Sequence, residues 1–233
     1  MFFCTLCHLR TRPFQDLCER CIKILPWNQH ACEHCAEPLP KGCLDSHCQR
    51  CLAETSTLKH TLAPLLYAFP VDQVILQAKN TKPELLLPLA RLLAQKAKEI
   101  PSPQALIPVP MTKSKQRQRG FNQAGIIARH LGRRLNIPVL YNVVSKVRDA
   151  EQQQKSASRS MRAQNVVNMF RIHRDQLRKY QFNHIALVDD VITTGSTVQQ
   201  IALQLQRAGI EQIDAWALAR TPNESNAFEV TNL

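Results

Sequence analysis

Eight cysteines near the start of the chain are spaced as four CxxC pairs, a spacing typical of metal sites. The pairs are Cys4/Cys7, Cys18/Cys21, Cys32/Cys35 and Cys48/Cys51. Two thiolates three positions apart can bind one ion from a tight turn, and two such turns complete the tetrahedral sulfur shell that zinc prefers. The four pairs therefore predict two zinc ions. Both are expected to be structural, because a four-sulfur shell leaves no coordination position for a catalytic water.

The spacing leaves some features of these metal sites open. We expect consecutive CxxC pairs to share an ion, although the spacing also permits interleaved pairs. Cys43 lies outside the pattern, and His34 and His47 adjoin predicted ligands and could replace one of them. Disulfides or reduced surface cysteines are the alternative, although redox pairs rarely occur four at a time. A segment of about fifty residues with few aliphatic side chains cannot fold alone, so metal binding is expected to supply the missing free energy.

A second group of chemistry-bearing residues follows an apolar run late in the chain. Residues 184–188 (HIALV) predict a buried strand, and Asp189 and Asp190 follow it directly. Residues 191–197 (VITTGST) then form a hydroxyl-rich loop that opens a helix. Backbone N–H groups at a helix start, with hydroxyls and one glycine, can hold a monophosphate, while the carboxylates can accept hydrogen bonds from sugar hydroxyls. The alternative is that the acidic pair merely caps the helix.

Alternating strand and helix patterns surround this motif and must position it. Apolar runs predict strands, and apolar residues at helical spacing predict helices. The predicted strands include residues 65–69, 105–110, 138–144 and 184–188, and the predicted helices include residues 71–79, 85–98, 121–135 and 198–208. Such alternation indicates parallel strands joined by crossover helices. We therefore predict an α/β fold, a parallel sheet with helices on both faces, with the ligand at its carboxyl edge.

Residues 148–163 are polar, rich in Gln, Ser and Arg, and nearly devoid of large apolar side chains. A loop of this length within a compact domain is either disordered or a functional lid. We favour a lid, because Lys146 and Arg148 could reach over an anionic ligand. The alternative is a solvated basic loop that serves solubility only.

Composition and charge narrow the class of protein. The apolar content of 44% is typical of a globular chain, and 30 Lys and Arg against 18 Asp and Glu give a net charge of +12, which favours a polyanionic or phosphorylated partner. The longest apolar run, residues 62–69, contains Pro64 and is too short for a membrane span. The first residues lack a secretory signal pattern, so we expect a cytoplasmic protein. Three parts are predicted: a metal-binding domain at 1–56, an α/β domain at 57–222 and a polar tail at 223–233.

Residues 188–197 (VDDVITTGST) closely resemble the phosphoribosyl-pyrophosphate signature of type I phosphoribosyltransferases. The resemblance implies that Asp189 and Asp190 hold the ribose 2- and 3-hydroxyls. It implies a 5-phosphate site made by Thr193, Thr194, Gly195, Ser196 and Thr197. Enzymes for 6-oxopurines have an aspartate where this chain has Thr193, so the acceptor is another base, another group handles the proton, or there is no base. Walker-type and dinucleotide-type glycine loops are absent from the sequence.

The CxxC pairs, the motif RGFNQ at residues 119–123 and the signature at residues 188–197 together resemble the ComF/GntX family. The resemblance extends from Cys4 to about Arg220. It implies an N-terminal double zinc ribbon, a type I phosphoribosyltransferase-like domain and a role in DNA uptake during natural transformation.

The same resemblance assigns cations to the ligand site. It implies that Lys79 and Arg119 lie on the pyrophosphate side, with Mg²⁺ shared between pyrophosphate and ribose oxygens. Lys146 and Arg148 are the lid candidates, and no catalytic residue is assigned beyond them. The expected ligand is therefore phosphoribosyl pyrophosphate or a nucleotide, with transfer of the phosphoribosyl group as an open question.

The second hypothesis is a non-catalytic adaptor that handles single-stranded DNA or acts as a scaffold for competence proteins. The scaffold reading, with the zinc ribbon as docking site, rests on the family resemblance alone. The DNA-handling reading is based on the clustering of cations before and within the predicted helix at residues 121–135. These cations are Lys113, Lys115, Arg117, Arg119, Arg129, Arg133 and Arg134. Such a run can follow phosphates, or it can simply be a solvated face, and aromatic residues for base stacking make up only 6% of the chain.

Overall fold

A computed structural model describes residues 2–13, 15–40, 42–43, 45–53, 56–147 and 169–223. The helices are α1 (Glu19–Lys23), α2 (Gln49–Ala53), α3 (Val71–Asn80), α4 (Leu86–Lys96), α5 (Lys113–Arg119), α6 (Gln123–Leu135), α7 (Arg174–Leu177) and α8 (Ser196–Gln206). The strands are β1 (Thr61–Leu62), β2 (Leu65–Leu66), β3 (Ala105–Pro108), β4 (Val144–Lys146), β5 (Phe170–Ile172), β6 (His184–Ile192) and β7 (Gln212–Arg220). Single 3₁₀ turns at Pro83–Leu85 and Ala97–Glu99 flank α4.

The central sheet is parallel throughout, which confirms the predicted fold class. Its strand order is β1-β7-β6-β3, and β2 also pairs with β7. The two nine-residue strands β6 and β7 form the middle of the sheet, with Leu187 opposite Ala215. A central parallel strand is covered on both faces, which explains why residues 185–188 are an unbroken apolar run.

Helices cover both faces of this sheet, and the alternation of side chains along β6 divides the core in two. Ala186 and Val188 pack with α3, α4 and α6 on one face. Ile185 and Leu187 pack with α8 on the other face. Successive strand residues point to opposite faces, so the next two residues, Asp189 and Asp190, are also directed to opposite sides.

The predicted helix faces agree with the structure. In α3 the buried residues are Val71, Val74, Ile75 and Ala78. Helix α6 buries Ala124, Ile127, Ala128 and Leu131, as its spacing predicts. The side chain of Asn122 caps α6 by accepting a hydrogen bond from the Ala124 N–H at 3.1 Å. Gly209, at φ 101°, follows α8 where a helix stop is predicted.

Several strands differ from the sequence predictions, including the one predicted at residues 65–69, of which only Leu65–Leu66 forms β2. The predicted strand at residues 138–144 is reduced to one bridge, Val139 with Leu106, and to the first residue of β4, which pairs antiparallel with β5. Strand β6 continues through both aspartates to Ile192, four residues beyond its predicted end. Strand β7 was not predicted, although its apolar run at residues 215–219 is typical of a buried central strand.

The cysteine-rich segment packs directly on the sheet and its helices. Leu17 and Leu25 share a core with Leu65 of β2. Asp16 forms an ion pair with Arg91 of α4, with an Nη1–Oδ2 distance of 2.7 Å. The proposed boundary at residue 56 and the tail at 223–233 stay predictions, since residues 54–55 and 224–233 lie outside the described part. Among the described helices, none has the length and apolar character needed to cross a bilayer.

Candidate functional site

The eight CxxC cysteines come together in two clusters formed by consecutive pairs. Cluster 1 contains Cys4, Cys7, Cys18 and Cys21, and cluster 2 contains Cys32, Cys35, Cys48 and Cys51. All sulfurs within a cluster lie within 4.8 Å of one another. The sulfurs of Cys7 and Cys18 lie 3.7 Å apart in cluster 1, and those of Cys35 and Cys48 lie 3.6 Å apart in cluster 2. A tetrahedral ion with metal–sulfur bonds of about 2.3 Å requires sulfur separations of about 3.8 Å, so both clusters could hold one metal ion.

Similar turns present the first two ligands of each cluster. The Cys4 N–H donates to the Leu9 carbonyl at 2.8 Å, and the Cys32 N–H donates to the Glu37 carbonyl at 2.8 Å. The turn of cluster 2, which we call the metal turn (residues 32–37), places Ala36 at φ 55°. Such a conformation is costly for a residue with a side chain and indicates a tightly constrained turn.

In each cluster the surroundings lower the pKa of one cysteine and so favour its thiolate form. A hydrogen bond with Cys35 lowers the pKa of Cys32 to about 4. Burial raises the pKa of Cys4, but backbone hydrogen bonds from Cys7 and Cys18 outweigh it and lower that pKa to about 6. A thiolate is the metal-binding form of cysteine, so both clusters offer an ionised ligand at neutral pH.

Asp190 and Lys79 lie together at the carboxyl end of β6. The Lys79 ammonium, in the last turn of α3, is 2.9 Å from Oδ2 of Asp190. Their side chains are 26% and 13% exposed, so the pair is largely shielded but reachable from solvent. Alternation along β6 directs Asp190 to the face that carries α3, which explains why Lys79 meets Asp190. A cation expected on the pyrophosphate side therefore directly contacts a carboxylate expected on the ribose side.

Asp189 is held in a different electrostatic environment. Its Oδ1 accepts a hydrogen bond from the Asp190 N–H at 2.8 Å. Burial and, next, the neighbouring Asp190 carboxylate raise the pKa of Asp189 well above its ordinary value. Two adjacent carboxylates in a poorly hydrated place favour protonation of one of them, or binding of a hydrogen-bond donor or a cation.

The hydroxyl loop, residues 193–197, is open at its polar surface. Thr193, Thr194 and Ser196 are exposed. The Thr194 hydroxyl donates to the Ser196 hydroxyl at 3.0 Å and accepts from the Ser196 N–H at 3.3 Å. Gly195 adopts φ 79° immediately before α8, a left-handed conformation that most side chains disfavour. The loop thus offers hydroxyls and the start of an eleven-residue helix to a ligand.

The motif at residues 119–123 lies beside the same edge of the sheet. The Val109 N–H, just after β3, donates to the Val188 carbonyl at 2.8 Å. The Asn122 side chain donates to the Val109 carbonyl at 3.0 Å, which ties the start of α6 to the end of β3. Arg119 is the exposed last residue of α5, and within the described part of the chain it makes no hydrogen bond or ion pair with either aspartate.

The two lid candidates are only partly described. Lys146 ends β4, and its ammonium lies 5.7 Å from the centroid of the Phe170 ring in β5. Arg148 and the predicted lid at residues 148–163 lie outside the described residues.

The sequence analysis missed a buried ion pair that connects the metal turn with the hydroxyl loop. Arg220 ends β7, and its Nη2 lies 2.6 Å from Oε2 of Glu37, with side-chain exposures of 0% and 2%. The same guanidinium donates to the carbonyls of Cys35 at 3.0 Å and Ile192 at 3.1 Å, and it also contacts the Thr193 carbonyl. The sequence signal for this ion pair is the position of Arg220, a charged residue directly after the apolar run at residues 215–219.

A cavity of about 330 Å³ lies between cluster 2 and the hydroxyl loop. Arg50 and Ser56 line it from the cysteine-rich side, and Thr194, Ser196 and Gln199 line it from the loop and α8. Gln199 donates to the Ser56 hydroxyl at 3.0 Å. The cysteine-rich segment therefore forms one wall beside the hydroxyl loop.

Comparisons with known proteins agree on one family. The profile described as "Phosphoribosyl transferase domain" matches residues 84–227. Competence protein F of Haemophilus influenzae is 33% identical over 211 residues, which cover 87% of this chain and 88% of that protein. DNA utilization protein YhgH of Escherichia coli K12 is 30% identical over 88% of this chain and 90% of its own length. A purine phosphoribosyltransferase structure from Pyrococcus horikoshii covers 57% of this chain and 80% of its own, at 15% identity and a TM-score of 0.34.

Proposed function

Because the chain belongs to the phosphoribosyl transferase domain family, and within it to the family of competence protein F, we propose that it binds phosphoribosyl pyrophosphate or a nucleotide and acts in the cytoplasm in DNA uptake. The role in DNA uptake is carried over from the names of the relatives, competence protein F and DNA utilization protein YhgH. The ligand is argued from the site itself.

One observation carries the proposed ligand. Two carboxylates lie near the carboxyl end of the central strand β6, one of them paired with Lys79, and the exposed hydroxyl loop begins directly after the strand. A ligand that bears a diol and a phosphate a few ångströms apart matches this order of groups. Asp189 and Asp190 would accept hydrogen bonds from the ribose hydroxyls, and the loop would donate to the 5-phosphate.

Lysine and arginine side chains would neutralise the pyrophosphate, the second anionic group of phosphoribosyl pyrophosphate. Lys79 already lies at the carboxylates, and Arg119 ends α5, the helix that follows β3. Lys146, at the end of β4, would supply the third cation. Mg²⁺, when bound, would neutralise pyrophosphate and ribose oxygens, and the two aspartates supply the hard oxygen donors that it prefers. Transfer of the phosphoribosyl group to a nucleophile at C1 would then depend mainly on positioning and charge neutralisation.

The metal proposed for clusters 1 and 2 is zinc. Four sulfurs within 4.8 Å of one another, with no oxygen or nitrogen donor grouped with them among the described residues, suit zinc better than harder divalent ions. The ions would be structural, since each shell is complete.

Binding of phosphoribosyl pyrophosphate with Mg²⁺ to the full chain tests the proposed ligand. We expect the ligand to raise the melting temperature of the wild type and Asp190→Asn to weaken binding by about tenfold or more. Asp175→Asn in α7 removes the same charge outside the site and should change affinity by less than about twofold. Equal affinities for the two variants would refute the assignment. Release of pyrophosphate in the same samples decides whether turnover accompanies binding.

A second candidate function, single-stranded DNA binding, is favoured by a surface at the opposite edge of the sheet. Tyr180 and Phe182 stack with ring centroids 5.2 Å apart and an interplanar angle of 6°. They line a cavity of about 390 Å³ together with Arg174, Arg178 and Arg207. In the described part of the chain these arginines form no ion pair, and no acidic residue lines the cavity. Such a surface could stack a base and bind phosphates.

Affinity for an unstructured oligodeoxynucleotide, measured at several salt concentrations, tests this second candidate. Tyr180→Ala should weaken binding by about tenfold, in line with the loss of one stacked base. Tyr141→Ala is the matched control, because Tyr141 is similarly exposed, 51% against 43% for Tyr180, on another surface. A loss shared equally by both variants, or affinity independent of salt, would exclude this surface.

A further inference from the structure

Arg220 is the one side chain that joins the metal turn to the hydroxyl loop among the contacts of the described residues. On one side it binds the Glu37 carboxylate and the Cys35 carbonyl. On the other side it binds the carbonyls of Ile192 and Thr193. Because the guanidinium is fully buried, water cannot replace any of these partners.

These contacts set the direction of two successive peptide groups of the loop. In a trans peptide the carbonyl and the following N–H point in opposite directions. With the carbonyls of Ile192 and Thr193 directed at Arg220, the N–H groups of Thr193 and Thr194 are directed away from it. Those N–H groups are donors that the proposed function assigns to the phosphate, so Arg220 orients part of the anion site without touching the ligand.

The other end of the Arg220 network depends on cluster 2. The metal turn carries the ligands Cys32 and Cys35. In the described structure its backbone closes through the hydrogen bonds from Ala36 N–H to the Cys32 carbonyl and from Cys32 N–H to the Glu37 carbonyl. Neighbouring residues also bond the turn from outside, as the Asn28 side chain does at the Ala36 carbonyl. An ion bound by both sulfurs fixes the positions of the Cys35 carbonyl and the Glu37 carboxylate. Without the ion, the sulfurs of Cys32 and Cys35 on the metal turn are no longer joined to those of Cys48 and Cys51. We therefore expect the turn to loosen and the acceptors of Arg220 to lose their fixed place.

Cluster 1 lacks such a connection in the described structure. Its buried ligands Cys4 and Cys21 share a core with Leu65 and α4, and its turn is tied to α4 by the Asp16–Arg91 pair. No contact among the described residues joins cluster 1 to the hydroxyl loop. The two clusters therefore differ in what they position, which provides an internal comparison.

Building on the proposed function, we propose that Arg220 is a positioning residue of the hydroxyl loop and makes its affinity for a phosphate group depend on the metal in cluster 2. Occupied cluster 2 holds Glu37 and the Cys35 carbonyl, these hold Arg220, and Arg220 holds the loop in its anion-binding form. The metal in cluster 1 has no such effect.

The experiment uses the zinc-loaded full chain and three measurements: zinc content, affinity for phosphoribosyl pyrophosphate with Mg²⁺, and hydrogen exchange at residues 192–196. Arg220→Lys keeps a charge for Glu37, but an ammonium cannot span both sets of acceptors. We expect this variant to keep two zinc ions, to lose about tenfold or more in affinity and to exchange faster in the loop. Glu37→Gln keeps the size of the side chain and should also lower affinity and speed loop exchange. Agreement between the two variants would show that the effect does not come from a folding defect in one of them.

Cys48→Ser and Cys7→Ser separate the two clusters. Each should lose one zinc ion, but only Cys48→Ser should lose affinity and loop protection, with Cys7→Ser within about twofold of the wild type. Equal effects of the two, or wild-type affinity and exchange in Arg220→Lys, would overturn the coupling. If the wild type itself does not bind the ligand, the proposed function fails. Loop exchange that differs between Cys48→Ser and Cys7→Ser still decides the coupling in that case.

Discussion

Ionisation of Asp189 is electrostatically unfavourable in the folded protein. Burial and the adjacent Asp190 carboxylate raise its pKa, whereas Asp190 has Lys79 at 2.9 Å. An acid with a raised pKa binds more protons in the folded than in the unfolded state. Its contribution therefore lowers stability as the pH rises above the ordinary aspartate pKa. A residue kept at such a cost is typical of a ligand site.

Asp189→Asn should stabilise the unliganded protein at neutral pH. We expect the melting temperature to rise by roughly 2–4 °C, the shift that about 1 kcal/mol gives in a chain of this size. The gain should vanish in acid, where Asp189 is protonated in both states. Asp190→Asn is the comparison, and it should lower the melting temperature or leave it unchanged because it removes the partner of Lys79. Thermal unfolding across pH measures both, and destabilisation by Asp189→Asn would contradict the electrostatic argument.

Helix α6 shows how one element supports the site through close packing. Its first residues follow Asn122, which caps the helix and holds the end of β3. Its last turn lies against residues 137–139, where a Cβ on Gly132 would be 2.6 Å from Cγ2 of Val139 and 2.7 Å from the Ile137 carbonyl oxygen. Backbone cannot move away cheaply, so α6 needs glycine at this position.

Gly132→Ala should destabilise the protein by about 2 kcal/mol or more, because overpacking against backbone outweighs the helix propensity of alanine. Gly125→Ala in the same helix is the matched control. The nearest described atoms to its Cβ, in Asn122 and Tyr141, would be 3.7 Å away, so it should be neutral or stabilising by about 0.5–1 kcal/mol. Chemical denaturation gives both values. Equal stabilisation of the two variants would show that helix propensity, not packing, decides the outcome.

The whole molecule consists of a cysteine-rich segment packed on a sheet that has its own core. In its described residues the cysteine-rich segment has two helices of five residues each, and its buried side chains include four of its own cysteines in clusters 1 and 2, Cys4, Cys21, Cys32 and Cys35. The sheet, by contrast, buries unbroken apolar runs of β6 and β7 between helices. Stability is therefore expected to differ strongly between the two parts.

Removal of metal by a chelator should release two zinc ions per chain and abolish amide protection in residues 2–53. Strands β3, β6 and β7 should keep most of their protection, because their core does not require the ions. Hydrogen exchange with metal analysis before and after chelation measures this, and re-addition of zinc should restore the pattern. Loss of protection throughout the sheet would show that the two parts fold as one unit.

Local sequence patterns were sufficient to predict much of the fold and of the candidate site. The CxxC spacing predicted two four-sulfur sites, the apolar faces of α3 and α6 followed from helical periodicity, and the order of strand, acidic pair and hydroxyl loop at residues 184–197 followed from the chain itself. Each of these depends on residues a few positions apart, where geometry is set by the backbone. Strand β7 and the short pairing of residues 138–146 were not predicted, since strand identity there depends on neighbours distant in sequence.

Only the tertiary structure decided which groups meet. Consecutive rather than interleaved CxxC pairs form the clusters, Lys79 reaches Asp190 because α3 covers one face of β6, and Arg220 reaches Glu37 from the far end of the chain. Spacing along the chain carries no information on such contacts, because they arise from the order of strands in the sheet and from the face that each helix covers. The sequence determined the chemical groups and their local order, and packing determined their partners.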